Sequence, residues 1–239
     1  MVAFYSVTLG LLAAARALAG PTAETAEVLP AHVERRGPHN FVLGPDHPLM
    51  LARRNVSALE GRSTNYVQDY ITGGTVDFTH SSGEFSLSFD TTEDFVVGVG
   101  WSPGSTSPIT YSGSFSVTKG LGTLSVYGWT ENPLVEYYVI EDSSGFTQTG
   151  TQKGTVTTDS GTYEIWENQR VNEPSIVGTS TFNQYISVRQ SGRTSGTVTI
   201  ENHFNAWKNV GLNLGTLNFQ VIAVESWNGA GSAKQSVSN

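Results

Sequence analysis

The chain has 239 residues, 14% of them charged and 38% hydrophobic, with 26 glycines and 10% aromatics. That mixture excludes a disordered chain and a helical bundle, and it fits a β-protein rich in tight turns. A net charge of -8 leaves no basic stripe to neutralise a phosphate backbone, so nucleic acid is excluded as a partner and a neutral ligand is expected.

The absence of cysteine rules out disulfides, thiol catalysis and thiolate metal sites. The five histidines form no pair at helical spacing around an acid, so we expect neither metal nor cofactor. FYSVTLGLLAAARALA over 4–19 is an apolar run closed by Ala17-Leu18-Ala19, the small-x-small pattern of signal-peptidase cleavage. We therefore expect a signal peptide over 1–19 and a secreted, extracellular protein. The run is shorter than the ~20 residues of a spanning helix, so no membrane partner is expected. From Gly20 to Arg54 the composition turns to Pro, Ala, His and charge, with dibasic pairs at Arg35-Arg36 and Arg53-Arg54 and no helical or strand period. This stretch reads as a propeptide over 20–54, removed at the second pair to leave a domain over 55–239. Asn55-Val56-Ser57, at its start, is a glycosylation sequon.

Strand patterns then follow in order: FSLSF (85–89), DFVVGVGW (94–101), TLSVYGW (123–129), LVEYYVI (134–140), TYEIW (162–166), FNQYISV (182–188), GTVTI (196–200) and FQVIAVESW (219–227). The connectors SPGSTSP, DSSG and SSG supply the Gly, Pro and Ser that turns favour. So many strands in one domain predict an all-β fold, a two-sheet sandwich of jelly-roll type. One segment differs. ENHFNAWKNVG (201–211) places Phe204, Trp207 and Val210 at threefold spacing and ends in Gly211, which predicts one short α-helix with Asn202 as N-cap. Trp207 and His203 read as core and capping residues rather than ligands.

Strand alternation puts Glu136 on one face with Leu134, Tyr138 and Ile140, and Val135, Tyr137 and Val139 on the other. Tyr127 and Trp129 share parity, while Leu124 and Val126 oppose them. One face thus carries aromatics with polar tips and the other aliphatics, as expected of a sheet with a binding cleft on one side and a core on the other. In the last strand Val221, Ala223, Glu225 and Trp227 share a face. Two carboxylates, each set among apolar residues with an aromatic two places on, suit glycoside hydrolysis, in which one acid attacks the anomeric carbon and the other protonates the leaving oxygen. Aromatic rings and tyrosine hydroxyls suit pyranose rings.

With these residues in view, the chain resembles glycoside hydrolase family 11, the small endo-1,4-β-xylanases. The matching stretches are FVVGVGW (95–101), SVYGWTENPLVEYYVIED (125–142), RVNEPSIVGTSTFNQYISVR (170–189), GTVTIENHFNAW (196–207) and QVIAVESW (220–227). The resemblance implies a jelly roll shaped like a partly closed right hand that cleaves xylan internally with retention, its two acids about 5–5.5 Å apart. It places Glu136 as nucleophile and Glu225 as acid/base. Tyr127 and Tyr138 match tyrosines that hold the nucleophile and the adjacent sugar, Arg170 and Gln184 match polar groups nearby, and Pro174-Ser175-Ile176 matches the tip of the thumb hairpin. Asp94 matches a position held by Asn or Asp beside the acid/base. Asp there marks an acid-active subgroup, since a carboxyl hydrogen-bonded to Glu225 titrates with it as a pair and moves the optimum to roughly pH 3 to 5. Ile71 stands where many members stack a Trp on sugar, so Tyr70 is expected to share that task, and Trp227 is expected against substrate as well. Ile186 replaces a common aromatic. Ser226 follows the acid/base where Gly is commoner, and its side chain should point to the opposite face with little catalytic effect. The expected partner is xylan and the expected state a monomer without cofactor. A jelly-roll cellulase and a non-catalytic carbohydrate-binding lectin stay open as alternatives.

Overall fold

The computed structural model describes residues 63–239, which form thirteen strands and one helix. The strands are β1 (Tyr66–Ile71), β2 (Thr75–Ser81), β3 (Glu84–Thr91), β4 (Phe95–Trp101), β5 (Ile109–Gly120), β6 (Gly122–Glu131), β7 (Val135–Ser144), β8 (Thr151–Thr158), β9 (Gly161–Glu173), β10 (Ser180–Arg189), β11 (Gly196–Val198), β12 (Thr216–Ser226) and β13 (Gly229–Ser238). The helix α1 spans Ile200–Asn209. An eight-stranded sheet runs β1-β4-β12-β6-β7-β10-β9-β8, and a five-stranded sheet runs β11-β5-β13-β3-β2. Neighbours are antiparallel except β7 and β10, which are parallel. The expected all-β, two-sheet jelly roll with one short helix is therefore the architecture. The signal peptide, the propeptide and the Asn55 sequon lie outside the described residues.

The alternation read from the sequence sorts the large sheet into two faces. Leu124, Val126, Val135, Tyr137, Val139, Ile222 and Val224 pack with Phe85, Leu87 and Phe89 of the small sheet, so this face meets the inter-sheet core. Tyr127, Trp129, Tyr138, Ile140, Phe219, Val221 and Ala223 form a separate cluster on the opposite face. Gly98 and Gly100 let β4 close on β12, because a Cβ at either would run into the carbonyl oxygens of Ile222 or Gln220.

Each of the eight patterns falls on a strand, but several strands run further, β9 on to Glu173 and β12 from Thr216, while β11 stops at Val198 and Ile200 of GTVTI opens the helix. The strands β1, β2, β5, β8 and β13 carried no clear pattern. Sequences such as TQKGTVTT and GAGSAKQSVS put Ser, Thr, Gly and Lys on a wet face, and that composition also signals turns. DSSG likewise does not form a simple connector, since β7 continues through Ser144. The helix begins earlier than expected. Its N-cap is Thr199 rather than Asn202, and Thr199 makes no side-chain cap bond because its hydroxyl donates to Asp159 Oδ1 at 2.6 Å. Asn202 instead donates to Thr158 Oγ1 at 2.8 Å. Gly211, at φ 87, turns the chain away after the helix as expected. His203 is a fully buried anchor rather than a cap: Nδ1 lies 3.1 Å from Ser187 Oγ of β10, which also accepts from Trp207 Nε1 at 2.9 Å.

On the core side of β7, Glu141 is almost wholly buried. It accepts hydrogen bonds from Tyr111 at 2.7 Å and Tyr163 at 2.5 Å, and pairs with Arg193 at 2.5 Å. Tyr111 belongs to the small sheet and Tyr163 to β9, so one carboxylate ties both sheets to the 189–196 turn. Removing the Glu141 carboxylate takes the acceptor from the Tyr111 and Tyr163 hydroxyls and the anion from a partly exposed Arg193, at about 3–5 kcal/mol in all. Glu141→Ala should lower the unfolding free energy in urea by that amount, whereas a loss below about 1 kcal/mol, typical of an exposed pair, would contradict the assignment.

Candidate active site

The second face of the large sheet floors a cleft of about 710 Å³, within the ~300–1,000 Å³ usual for ligand sites. Its lining includes Glu136, Glu225, Asp94, Tyr127, Tyr138, Tyr70, Arg170, Pro174, Gln184 and Trp227, so the acids and the substrate-binding candidates expected from the sequence reach one cavity. The ladder sets their order. Glu136 on β7 is flanked by Trp129 of β6 and Gln184 of β10, while Glu225 on β12 is flanked by Thr123 of β6 and Val96 of β4. Measured along β6, the two acids are thus offset by the stretch from Thr123 to Trp129. The coil and twist of the sheet, with the length of Glu side chains, bring them into one space. The Tyr138 hydroxyl, from a position between the two rows, lies 3.5 Å from Glu225 Oε1 and also bonds Glu136.

The two carboxyls sit in different surroundings. Glu136 has both oxygens engaged: Tyr127 OH donates to Oε1 at 2.9 Å and Gln184 Nε2 to Oε2 at 2.8 Å. A second layer orients these donors, with Trp129 Nε1 donating to Tyr127 OH at 2.6 Å and Asn168 Nδ2 to Gln184 Oε1 at 3.0 Å. Burial raises the Glu136 pKa, and the bonds from Gln184, Tyr127 and Tyr138, with the Arg170 charge, oppose the rise. Glu225 is pushed well above its ordinary range, first by burial and then by the Asp94 and Glu136 charges, with Tyr138 and Arg170 opposing. Burial likewise lifts Asp94 from its ordinary 3.8 to about 6 against Arg170 and the Phe95 amide. Asp94 and Glu225 thus act on each other through space. Asp94 Oδ1 is buried and finds no hydrogen-bond partner among the described residues, so the expected Asp94–Glu225 hydrogen bond is not formed.

Arg170 is on β9, 3.5 Å from Glu173, and both are half-exposed where the β9–β10 hairpin nears its tip. At its tip Ser175 is fully buried; its hydroxyl donates to the Gly178 carbonyl and accepts from Val177 N, which fixes the Pro174–Ile176 turn facing the cleft. Ile71 packs against the inter-sheet core rather than the cleft, and Tyr70 takes the cleft position, where burial and then the charges of Asp94, Glu136 and Glu225 raise its phenol pKa. Ile186 lies in the cleft lining. Trp227 is 41% exposed and meets Phe146 edge to face at 6.1 Å. Ser226 points to the other face, as expected, where its hydroxyl donates to Leu121 O at 2.7 Å. Sequence reasoning missed Thr123, Asn168, Phe146 and Glu173. Parity shared with Tyr127 pointed to Thr123; Asn168 and Phe146 needed the register and the loop path. Among the described residues no cluster of His, Cys, Asp or Glu is arranged to hold a metal, and no helix is long and apolar enough to cross a membrane.

Comparison with known proteins agrees with this geometry. The profile described as "Glycosyl hydrolases family 11" matches residues 62–236. The chain is 56% identical to endo-1,4-beta-xylanase 1 of Hypocrea jecorina (strain QM6a) and 54% identical to ethylene-inducing xylanase 2 of Botryotinia fuckeliana, each over 100% of both chains. A solved structure from a comparison of two major endo-1,4-beta-xylanases of Trichoderma reesei is 63% identical, with a TM-score of 0.74, over 74% of this chain and 100% of that one.

These titrations set how stability varies with pH. Asp94 keeps its proton up to about 6 when folded but releases it near 3.8 when unfolded, so its contribution is complete below 3.8 and lost as pH rises through about 6. Glu136 and Glu225 act in the same direction. Asp159 has the opposite sign: burial opposes its ionised form, but His203 and the Thr199 bonds outweigh burial and hold it at about 2, so its contribution exists above 3.8 and is lost toward 2. The melting temperature should peak near pH 4 and fall on both sides. In a scan of melting temperature against pH, Asp94→Asn should flatten the neutral side and Asp159→Asn the acid side; unchanged slopes would refute the assignment.

Proposed function

The chain belongs to glycosyl hydrolases family 11, and from that premise we propose that it is a secreted endo-1,4-β-xylanase that cleaves xylan with retention of configuration. The observation that supports this most is the contrast between two carboxyls in one cleft. Glu136 has both oxygens held by donors that favour its charge, and Glu225 is driven by burial and neighbouring charges to keep a proton. A pair of acids whose surroundings separate their proton affinities is what a nucleophile and a proton donor require.

In this reading a Glu136 oxygen bonds the anomeric carbon as the glycosidic C–O bond breaks, and the Glu225 proton passes to the leaving oxygen. Glu225, now a carboxylate, takes a proton from water as the water oxygen displaces Glu136, and the enzyme returns to its starting state. Tyr138 touches both acids through the cycle, Tyr127 and Gln184 steady Glu136, and Arg170 moderates the negative field. The aromatic lining from Trp129 to Trp227 offers flat faces for a row of xylose rings, and the hairpin tip at Pro174 closes over it.

Asp94 supports an acidic optimum. Protonated below about 6, it can donate to Glu225 and stabilise the carboxylate formed in the first step; ionised, it repels that carboxylate. Activity should therefore fall as pH rises through about 6, and Asp94→Asn should move that limb upward. A parent and variant that both peak near neutrality would refute this.

The parent should release reducing ends from xylan but not from carboxymethylcellulose, and the first product should be the β-anomer by NMR. A cellulase would act on the cellulose substrate, and a lectin on neither. Glu136→Gln and Glu225→Gln should each lower xylan hydrolysis by several orders of magnitude, and equal activity in all three proteins would reject the mechanism.

A further inference from the structure

The two carboxyls differ in how completely their hydrogen bonding is met. Glu136 has a donor on each oxygen, whereas Glu225 is approached by the Tyr138 hydroxyl at a long 3.5 Å. Around Glu225 lie polar atoms that are buried and without a hydrogen-bond partner among the described residues: Asp94 Oδ1, Thr123 Oγ1 and Ser125 Oγ. Thr123 stands directly opposite Glu225 in the antiparallel β12–β6 ladder, and Ser125 opposite Ala223, one step along the same face. Residues so paired project to one side with Cβ atoms about 4.5–5.5 Å apart, within reach of a Glu carboxyl. Thr123 is 1% exposed and lines the cleft.

An unpartnered hydroxyl in such a place destabilises a fold, and valine would fill the same volume without that penalty. A hydroxyl facing a group that changes its proton count is different, because its partner arises only during the reaction. We propose that Thr123 is a positioning residue for the acid/base, its hydroxyl donating to the Glu225 carboxylate formed when that group gives up its proton. The inference rests on the reading of Glu225 as acid/base. In the first step the Glu225 O–H proton goes to the glycosidic oxygen as the Glu136 oxygen bonds the anomeric carbon, and Thr123 then donates to the new carboxylate. In the second step Glu225 regains a proton from water and the Thr123 bond is released. The charged and titratable groups facing Glu225 are Asp94 beside β4, Glu136 and Tyr138 on β7, Tyr127 on β6, Tyr70 on β1 and Arg170 on β9, of which Arg170 alone is cationic, so a further hydroxyl donor offsets a largely negative surround.

The test compares Thr123→Val, which removes the hydroxyl at nearly constant shape, with Thr123→Ser, which keeps it. Rates are read on xylohexaose, whose sugar leaving group needs the proton, and on dinitrophenyl β-xylobioside, whose leaving group does not. Loss of a hydrogen bond to a charged group corresponds to about tenfold or more, so Thr123→Val should lose about that on xylohexaose, change little on the aryl substrate and melt no lower than the parent. Thr123→Ser should behave as the parent. Equal losses on both substrates, equal losses in both variants, or no loss in Thr123→Val would each overturn the assignment. Glu225→Gln serves as the control: if it cleaves xylohexaose at the parent rate, the reading of Glu225 itself has failed, and if it loses that rate while Thr123→Val does not, the Thr123 assignment alone has failed.

Discussion

Negative charge confined in a poorly hydrated cleft is the constraint from which the site follows. Asp94, Glu136 and Glu225 share one cavity, and Arg170 is the cation within its lining. Charges this close in a low dielectric repel far more strongly than in water, so the three cannot all ionise together. The protein resolves the conflict unevenly. It directs fixed donors at Glu136 and leaves Glu225 and Asp94 to retain protons, so the division of roles follows from where hydrogen bonds were placed. Arg170 tempers the field without neutralising it, since it is half-exposed and also engages Glu173.

The sheet makes that placement possible. A strand presents every second residue to the same side, so β6, β7 and β12 can serve the inter-sheet core with Val126, Val139 and Val224 and the cleft with Tyr127, Tyr138 and Glu225. This is why the faces were legible in the sequence: alternation of aliphatic and polar-tipped aromatic residues is a direct trace of two environments. It also explains the carboxylates, which stood out because they broke an apolar pattern. Strands such as β8 and β13 were not legible, because with one face wet and made of Ser, Thr and Gly their composition coincides with that of loops. The helix start was misplaced for a related reason: Asp159, forty residues away in the chain, claims the Thr199 hydroxyl, and no local rule anticipates such a partner. Within the site, residues on strands were readable by parity, whereas Phe146 and the loss of Ile71 to the core depended on paths that the sequence does not display.

The parallel pairing of β7 with β10 has a consequence for how the molecule is made. Its register joins Glu136 to Gln184 across 48 positions, with the β8–β9 hairpin as the crossover. Bringing these positions together costs loop-closure entropy that is repaid only when the pairing forms. The amide that holds Glu136 therefore reaches it only once β10 lies beside β7, so the setting of that carboxyl depends on a pairing between distant parts of the chain.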